Sequence, residues 1–214
     1  MKRETALLMA CAALLPLATA AQSGIVGRPY ASFSGGLATL NDGDLKTSTG
    51  TLEVESDPGV ALAAALGYDF GPNFRMETEL SYQQNDLDRL SLKGPGTGAK
   101  ASGETKSMTG LLNGYYDFNN ISALTPFVSA GLGLTKVELS DVAIDGGSIP
   151  GEADGTAMAY QVGGGFSYAL NYNLALDLKY RYFAAVDLEL DDNAETAEFD
   201  YASHNIYGGI RASF

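Results

Sequence analysis

The amino-acid sequence predicts an all-β fold: eight antiparallel strands, joined up-and-down and closed into a barrel. Three observations predict it. Large apolar residues alternate with small or polar ones at a period of two in eight successive segments. The connections between these segments are alternately short and long. Past the N-terminal segment no run of eighteen apolar residues exists, so no helical membrane span is available.

The N-terminal segment reads as an export signal. Lys2 and Arg3 supply a basic start, Ala6 to Leu17 a short apolar core, and Ala18-Thr19-Ala20 the small-x-small cleavage pattern. Residues 1–20 are therefore assigned to a cleaved secretory signal peptide and residues 21–214 to the barrel. Leu8-Met9-Ala10-Cys11 only loosely matches a lipoprotein box, because Met9 is atypical there and few apolar residues precede it. Cleavage would remove Cys11, leaving a mature chain without cysteine, as suits an envelope compartment.

The eight segments follow in order. From about Tyr30 to Leu40, Phe33 and Leu37 share a face. In Val60 to Phe70 the large residues Val60, Leu62, Leu66, Tyr68 and Phe70 alternate with Ala61, Ala63, Ala65, Gly67 and Asp69. Phe74, Met76, Leu80 and Tyr82 oppose Arg75, Glu77, Glu79 and Ser81. Leu112, Tyr116 and Phe118 oppose Thr109, Asn113 and Asp117, and Leu124, Val128, Leu132 and Leu134 oppose Ser129, Gly131 and Gly133. Met158, Tyr160, Val162, Phe166 and Tyr168 oppose Gln161, Gly163, Gly165 and Ser167. Leu174, Leu176, Leu178, Tyr180 and Tyr182 oppose Asp177, Lys179 and Arg181. Last, Ile206, Ile210 and Phe214 oppose Asn205, Tyr207 and Arg211. Each segment is near the roughly 9–11 residues with which a tilted strand crosses a bilayer.

Short, turn-forming sequences join alternate pairs: Gly71-Pro72-Asn73, Asn119-Asn120 and Asn171-Tyr172-Asn173. The other connections, near Asn41–Pro58, Asn85–Lys106, Glu138–Gly155 and Asp187–Glu198, are long and polar. Sorting loops by length onto opposite ends is the pattern of a transmembrane barrel with short periplasmic turns and four long extracellular loops. Period two alone would also suit a soluble lipocalin-type barrel, apolar inside. The export signal, the loop sorting and the aromatic residues favour the inverted arrangement. Tyr68, Phe70, Phe74, Tyr116, Phe118 and Phe214 gather at one end, and Tyr82, Tyr160, Tyr180 and Tyr182 nearer the other, as interfacial girdles do.

Composition removes other classes. A net charge of -13 argues against a nucleic-acid partner. One Cys and one His leave neither a disulfide framework nor a zinc cluster. A hydrophobic fraction of 45% excludes a wholly disordered chain. No cofactor is expected.

The segments Tyr160 to Tyr168, Leu176 to Phe183 and His204 to Phe214 resemble the small outer-membrane β-barrel family of opacity proteins, bacterial surface antigens and OmpA/OmpX-type transmembrane barrels, which includes porin-family proteins. Tyr180-Arg181-Tyr182 and terminal Phe214 carry the resemblance most strongly. It implies a place in the bacterial outer membrane among lipid and lipopolysaccharide, with the loops on the cell surface. It also implies that Ile206, Ile210 and Phe214 form the signal read by the barrel-assembly machinery. No separate peptidoglycan-binding module is expected after Phe214.

With apolar faces outward, Arg75, Glu77, Glu79, Asp117, Asp177, Lys179, Arg181 and Arg211 face the lumen, with Asp69 near the short-turn end. An eight-stranded barrel is just wide enough for side chains to fill. Ionised groups there must pair or take ordered water, so the mixed signs predict an ion network. It could serve as a structural plug or as a narrow, gated ion pathway. Gly131, Gly133, Gly163 and Gly165 could leave gaps or accommodate Phe127, Tyr115 and Tyr207.

The acidic loops would carry adhesion, surface interaction or envelope integrity, through a host or cell-surface ligand. Asp187, Glu189, Asp191 and Asp192 are oxygen ligands suited to calcium, but they lack the spacing of a calcium loop. Catalysis is not expected. Ser203 and His204 are adjacent and should point to opposite faces, and Ile206 stands where the lipid A deacylases carry the serine of their His-x-Ser arrangement.

Overall fold

The computed structural model describes residues 27–41, 43–47, 50–56, 58–92, 98–144, 147–148, 153–186, 188–191, 196–199 and 201–214. The export signal assigned to residues 1–20 lies outside them. Eight long strands form the wall: β1 (Arg28–Leu40), β2 (Gly59–Asp69), β3 (Phe74–Leu92), β4 (Gly98–Asp117), β5 (Leu124–Ile144), β6 (Ala153–Ala169), β7 (Leu174–Val186) and β8 (Ala202–Ser213). Each pairs antiparallel with the next. β1 pairs with β8 from Tyr30↔Ser213 to Leu40↔Ser203, which closes the barrel.

Side-chain oxygens set the three tight turns. Asp69 Oδ1 accepts the Gly71 amide at 2.8 Å, with Gly71 at φ +49°, where glycine is favoured. Asn120 Oδ1 accepts the Ser122 amide at 2.7 Å, and Asn171 Oδ1 accepts Asn173 at 2.9 Å and Leu174 at 3.0 Å. These are the local bonds by which Asx residues reverse a chain.

The strands run farther than the apolar alternation indicates, and this corrects the long-loop assignments. β3, β4, β5 and β6 have 19, 20, 21 and 17 residues, so most of Asn85–Lys106 and parts of Glu138–Gly155 are paired strand rather than loop. A hairpin of Gly43–Thr47 and Gly50–Ser56 adds to β3, and Leu188–Asp191 pairs with Thr196–Phe199, which reaches back to Leu45 and Lys46. The wall therefore continues past the apolar band. Its ladder shifts between Leu87 and Arg89 and between Ser102 and Glu104, where bulges bend and twist paired strands.

Outward positions carry the exposed apolar residues, among them Phe33, Leu62, Leu80, Leu112, Val128, Val162, Leu178 and Ile206. Inward positions carry the buried polar ones. Aromatic contacts mark both margins: Tyr68–Phe70 at 5.0 Å and Tyr116–Phe118 at 5.2 Å near the turns, Tyr160–Tyr182 at 6.4 Å toward the other end.

Glycine leaves room for large rings in the lumen. A Cβ at Gly67 would stand 2.2 Å from Tyr30 Cζ, and one at Gly165 2.8 Å from the Phe127 ring. Phe127 is thus accommodated by a lumen glycine, whereas the space at Gly131 belongs to the Asn113 amide. Gly67→Ala should displace Tyr30 and cost about 1–3 kcal/mol by overpacking, read as a lower urea midpoint for the refolded barrel.

Candidate functional site

Arg75, Glu77, Glu79, Lys179 and Arg181 are buried in the lumen and Asp117, Asp177 and Arg211 are part-buried there, and the eight fall into three groups, while Asp69 stands apart at the turn. In the first, Arg75 on β3 donates from Nε to Asp117 Oδ2 at 2.6 Å and from Nη2 to Oδ1 at 2.9 Å, a two-pronged contact made by the end of β4. Its guanidinium lies 4.5 Å from the Tyr115 ring centre and 5.5 Å from that of Phe127. In the second, Arg211 on β8 donates to Asp177 on β7 at 3.1 Å and to Ser167 on β6 at 2.5 Å.

The third group is the centre. Glu79 accepts from Arg181 Nη1 on one oxygen and from Lys179 Nζ at 3.2 Å on the other. Arg181 continues to the Tyr207 hydroxyl at 2.5 Å, with its guanidinium 4.6 Å from that ring. Glu79 and Arg181 are each 2% exposed, so the pair is shut away from bulk water. Glu77 is held differently: the hydroxyls of Tyr30 and Tyr115 donate to it at 3.0 and 2.5 Å. The eight residues comprise four cations and four anions, so the network is formally neutral.

Parity sets Asn113, Tyr115 and Tyr207 inward without joining them to the charges, and Tyr30 completes the network with them. Tyr30, Tyr115, Tyr207 and Asn113 share the charged residues' inward parity, which was the available signal. Asn113 receives Gln161 Nε2 at 3.0 Å and donates weakly to Glu79 at 3.5 Å. Beyond the centre, away from the turns, the buried lumen contacts among the described residues are between uncharged side chains. Thr109 and Thr135 share a bond of 2.7 Å, Tyr201 donates to Ser107 at 3.1 Å, and Gln83 donates to Asn85 at 2.9 Å. Ser129 Oγ, Gln161 Oε1, Arg181 Nε and the Asn205 amide are buried without a protein partner, as suits ordered water.

Outside the wall, just past Met108 and Leu134, Lys106 pairs with Glu104, and Lys136 pairs with Glu138 and with Asp154 at 3.1 Å. Partial burial would lower the Lys136 ammonium, but bonds to these two carboxylates outweigh it and hold its pKa above the ordinary lysine value. Ser203 is buried in the lumen, where it donates to Gln83 at 3.4 Å. His204 lies on the outer face, with Nδ1 2.6 Å from the Tyr180 hydroxyl and its ring 5.2 Å from Tyr182. The two side chains stand on opposite faces of β8. Ile206 and Ile210 face outward on the last strand, and Phe214, just past its end, is exposed. The side chains of the four carboxylates considered for calcium lie outside the described residues, and among the described residues no group of three metal-ligating side chains occurs.

Known proteins share this architecture. Residues 6–214 match the family model for the outer membrane protein beta-barrel domain. Outer membrane protein PagN of Salmonella typhimurium is 28% identical over 212 residues, covering 90% of this chain and 88% of PagN. Neisserial surface protein A superposes with a TM-score of 0.55 at 21% identity, covering 87% of this chain and 97% of that one. OprG from Pseudomonas aeruginosa superposes with a TM-score of 0.53 at 17% identity, covering 85% and 95%. The chain belongs to the outer membrane protein beta-barrel family, and its place is the bacterial outer membrane.

Proposed function

We propose that the protein is a non-enzymatic surface protein, a plugged barrel whose acidic outer structure serves adhesion, surface interaction or envelope integrity. The observation that carries this reading is strand length. β3 to β6 have 17 to 21 residues, against the roughly 9–11 that cross a bilayer, so about half of each stands clear of the lipid on the loop side. That side is the cell surface, with the short turns in the periplasm. A hydrogen-bonded wall there holds binding residues in place better than separate loops would.

The partners in this reading are outer-membrane lipid and lipopolysaccharide at the wall, the barrel-assembly machinery at Ile206, Ile210 and Phe214, and a host or cell-surface ligand at the crown. The opposite faces of Ser203 and His204 support the absence of hydrolytic chemistry, since a nucleophile and its base must touch.

A narrow ion pathway is the second reading, favoured by the unpartnered lumen atoms around Arg181 and Asn205. Two measurements decide between them. Replacing residues 86–104 by a short turn should abolish cell binding or aggregation while leaving the barrel folded. Planar-bilayer recording should show no unitary conductance for the intact protein. Conductance abolished by substituting Arg181 or Glu79 would favour the pathway.

A further inference from the structure

We propose that the lumen is closed twice, by an ionic bar and an aromatic bar that enclose a layer of water between them. The proposal rests on the plugged-barrel reading and says how the plug is built. Eight strands form the ring, so strands four apart in chain order stand on opposite walls. The lower bar runs between such a pair: Lys179 and Arg181 on β7 reach Glu79 on β3. The upper bar runs between another. The Tyr201 hydroxyl, just before β8, donates to Ser107 Oγ on β4 at 3.1 Å.

Strand direction fixes their order. Inward residues of β7 climb toward the crown through Lys179, Arg181 and Phe183, and those of β8 descend through Ser203, Asn205 and Tyr207. Phe183 therefore stands one inward step above Arg181, and its ring meets that of Tyr201 edge-on at 6.0 Å. Val137, the cross-strand neighbour of Ser107, and Leu40, that of Ser203, are buried at the same end. Apart from its phenol hydroxyl this bar is apolar, and an apolar constriction stops ions by dewetting. The lower bar works otherwise, by charges that satisfy one another.

Between the bars, polar atoms are left over. Asn205 stands one inward step above Tyr207, which ends the ionic bar, and two below Tyr201; neither atom of its amide has a protein partner. Its ladder row continues through Arg181 and Gly163 to Ser129. Arg181 Nε and Ser129 Oγ are buried and unpartnered in that row, and Gly163 sets no side chain between them. Gln161 Oε1, one inward step above Gly163, completes the set. Donors and acceptors are mixed in this layer, which suits water rather than an ion of either sign. Two barriers in series make the plug redundant, because losing one leaves the other shut.

The test reads each bar separately. Ser203 is buried between them, so Ser203→Cys in a Cys11→Ser background sets a thiol in the enclosed layer. Intact cells are treated from outside with a charged, membrane-impermeant methanethiosulfonate, and mass spectrometry of the purified barrel reads the label. The thiol should stay unlabelled, and adding Phe183→Ala with Tyr201→Ala should label it to completion. Tyr201→Ser, a smaller change, should expose it too. In planar bilayers, Glu79→Gln alone and the double aromatic variant alone should not conduct, while the three substitutions together should. A thiol labelled with both rings in place, or still protected in folded protein without them, would overturn the upper bar. Conductance from either variant alone, or silence of the folded triple variant, would overturn the series arrangement and leave the plug itself standing. Conductance of the intact protein would instead remove the plugged-barrel reading. Heat-modifiable gel migration reports folding of each variant, and the labelling arm decides even where Glu79→Gln does not fold.

Discussion

Glu79→Ala should cost the barrel about 3–5 kcal/mol, the range for removing one partner of a buried ion pair. The reason is desolvation. Glu79 serves two buried cations, Lys179 and Arg181, and its loss strands both in a lumen sealed from bulk water. Glu77→Gln should cost only about 1 kcal/mol, because its partners are neutral hydroxyls and an amide oxygen can still accept from one of them. Equilibrium urea unfolding in phospholipid vesicles compares the two. If Glu79→Ala lost no more than Glu77→Gln, lumen water would be solvating the stranded cations, and the hydrated-pathway reading would gain.

Val128→Arg should cost about 2–4 kcal/mol in the same vesicles, the penalty for a cation near the bilayer midplane on the lipid face of a barrel. Val128 is exposed on β5 about midway between Leu124 and Leu134, while the next residue, Ser129, is buried in the lumen. One register step therefore separates lipid from the interior. A barrel that turned this face to water would tolerate the arginine within about 0.5 kcal/mol, as surface substitutions commonly are.

The apolar band was legible because lipid on one side and a packed lumen on the other impose opposite demands on successive residues. Val60 to Tyr68 and Leu174 to Tyr182 show the contrast plainly. The upper wall was illegible for the same reason. In Gln83-Gln84-Asn85-Asp86 both faces are polar, since outside the bilayer the outward face meets water, and hydropathy no longer alternates although the strand continues. The charged members of the lumen site were legible from parity alone. Their partners were not, because reach across a barrel depends on which strands lie opposite. Tyr30 on β1 meets Glu77 on β3 across a gap that Gly67 provides, and no local pattern in the sequence announces that meeting.

A formally neutral ion network also fixes where the acidity of the molecule lies. The stretches 41–58, 85–106, 136–155 and 187–200 hold twenty acidic and six basic residues, which accounts for the whole excess of negative charge. The protein is electrically lopsided, a balanced stalk under a cap of net negative charge. Neighbouring copies repel at the cap, and anionic visitors are turned away, but only within about 8 Å at physiological ionic strength. Dilution of the medium should lengthen that reach, so cells bearing this protein should clump less readily in fresh water than in brine.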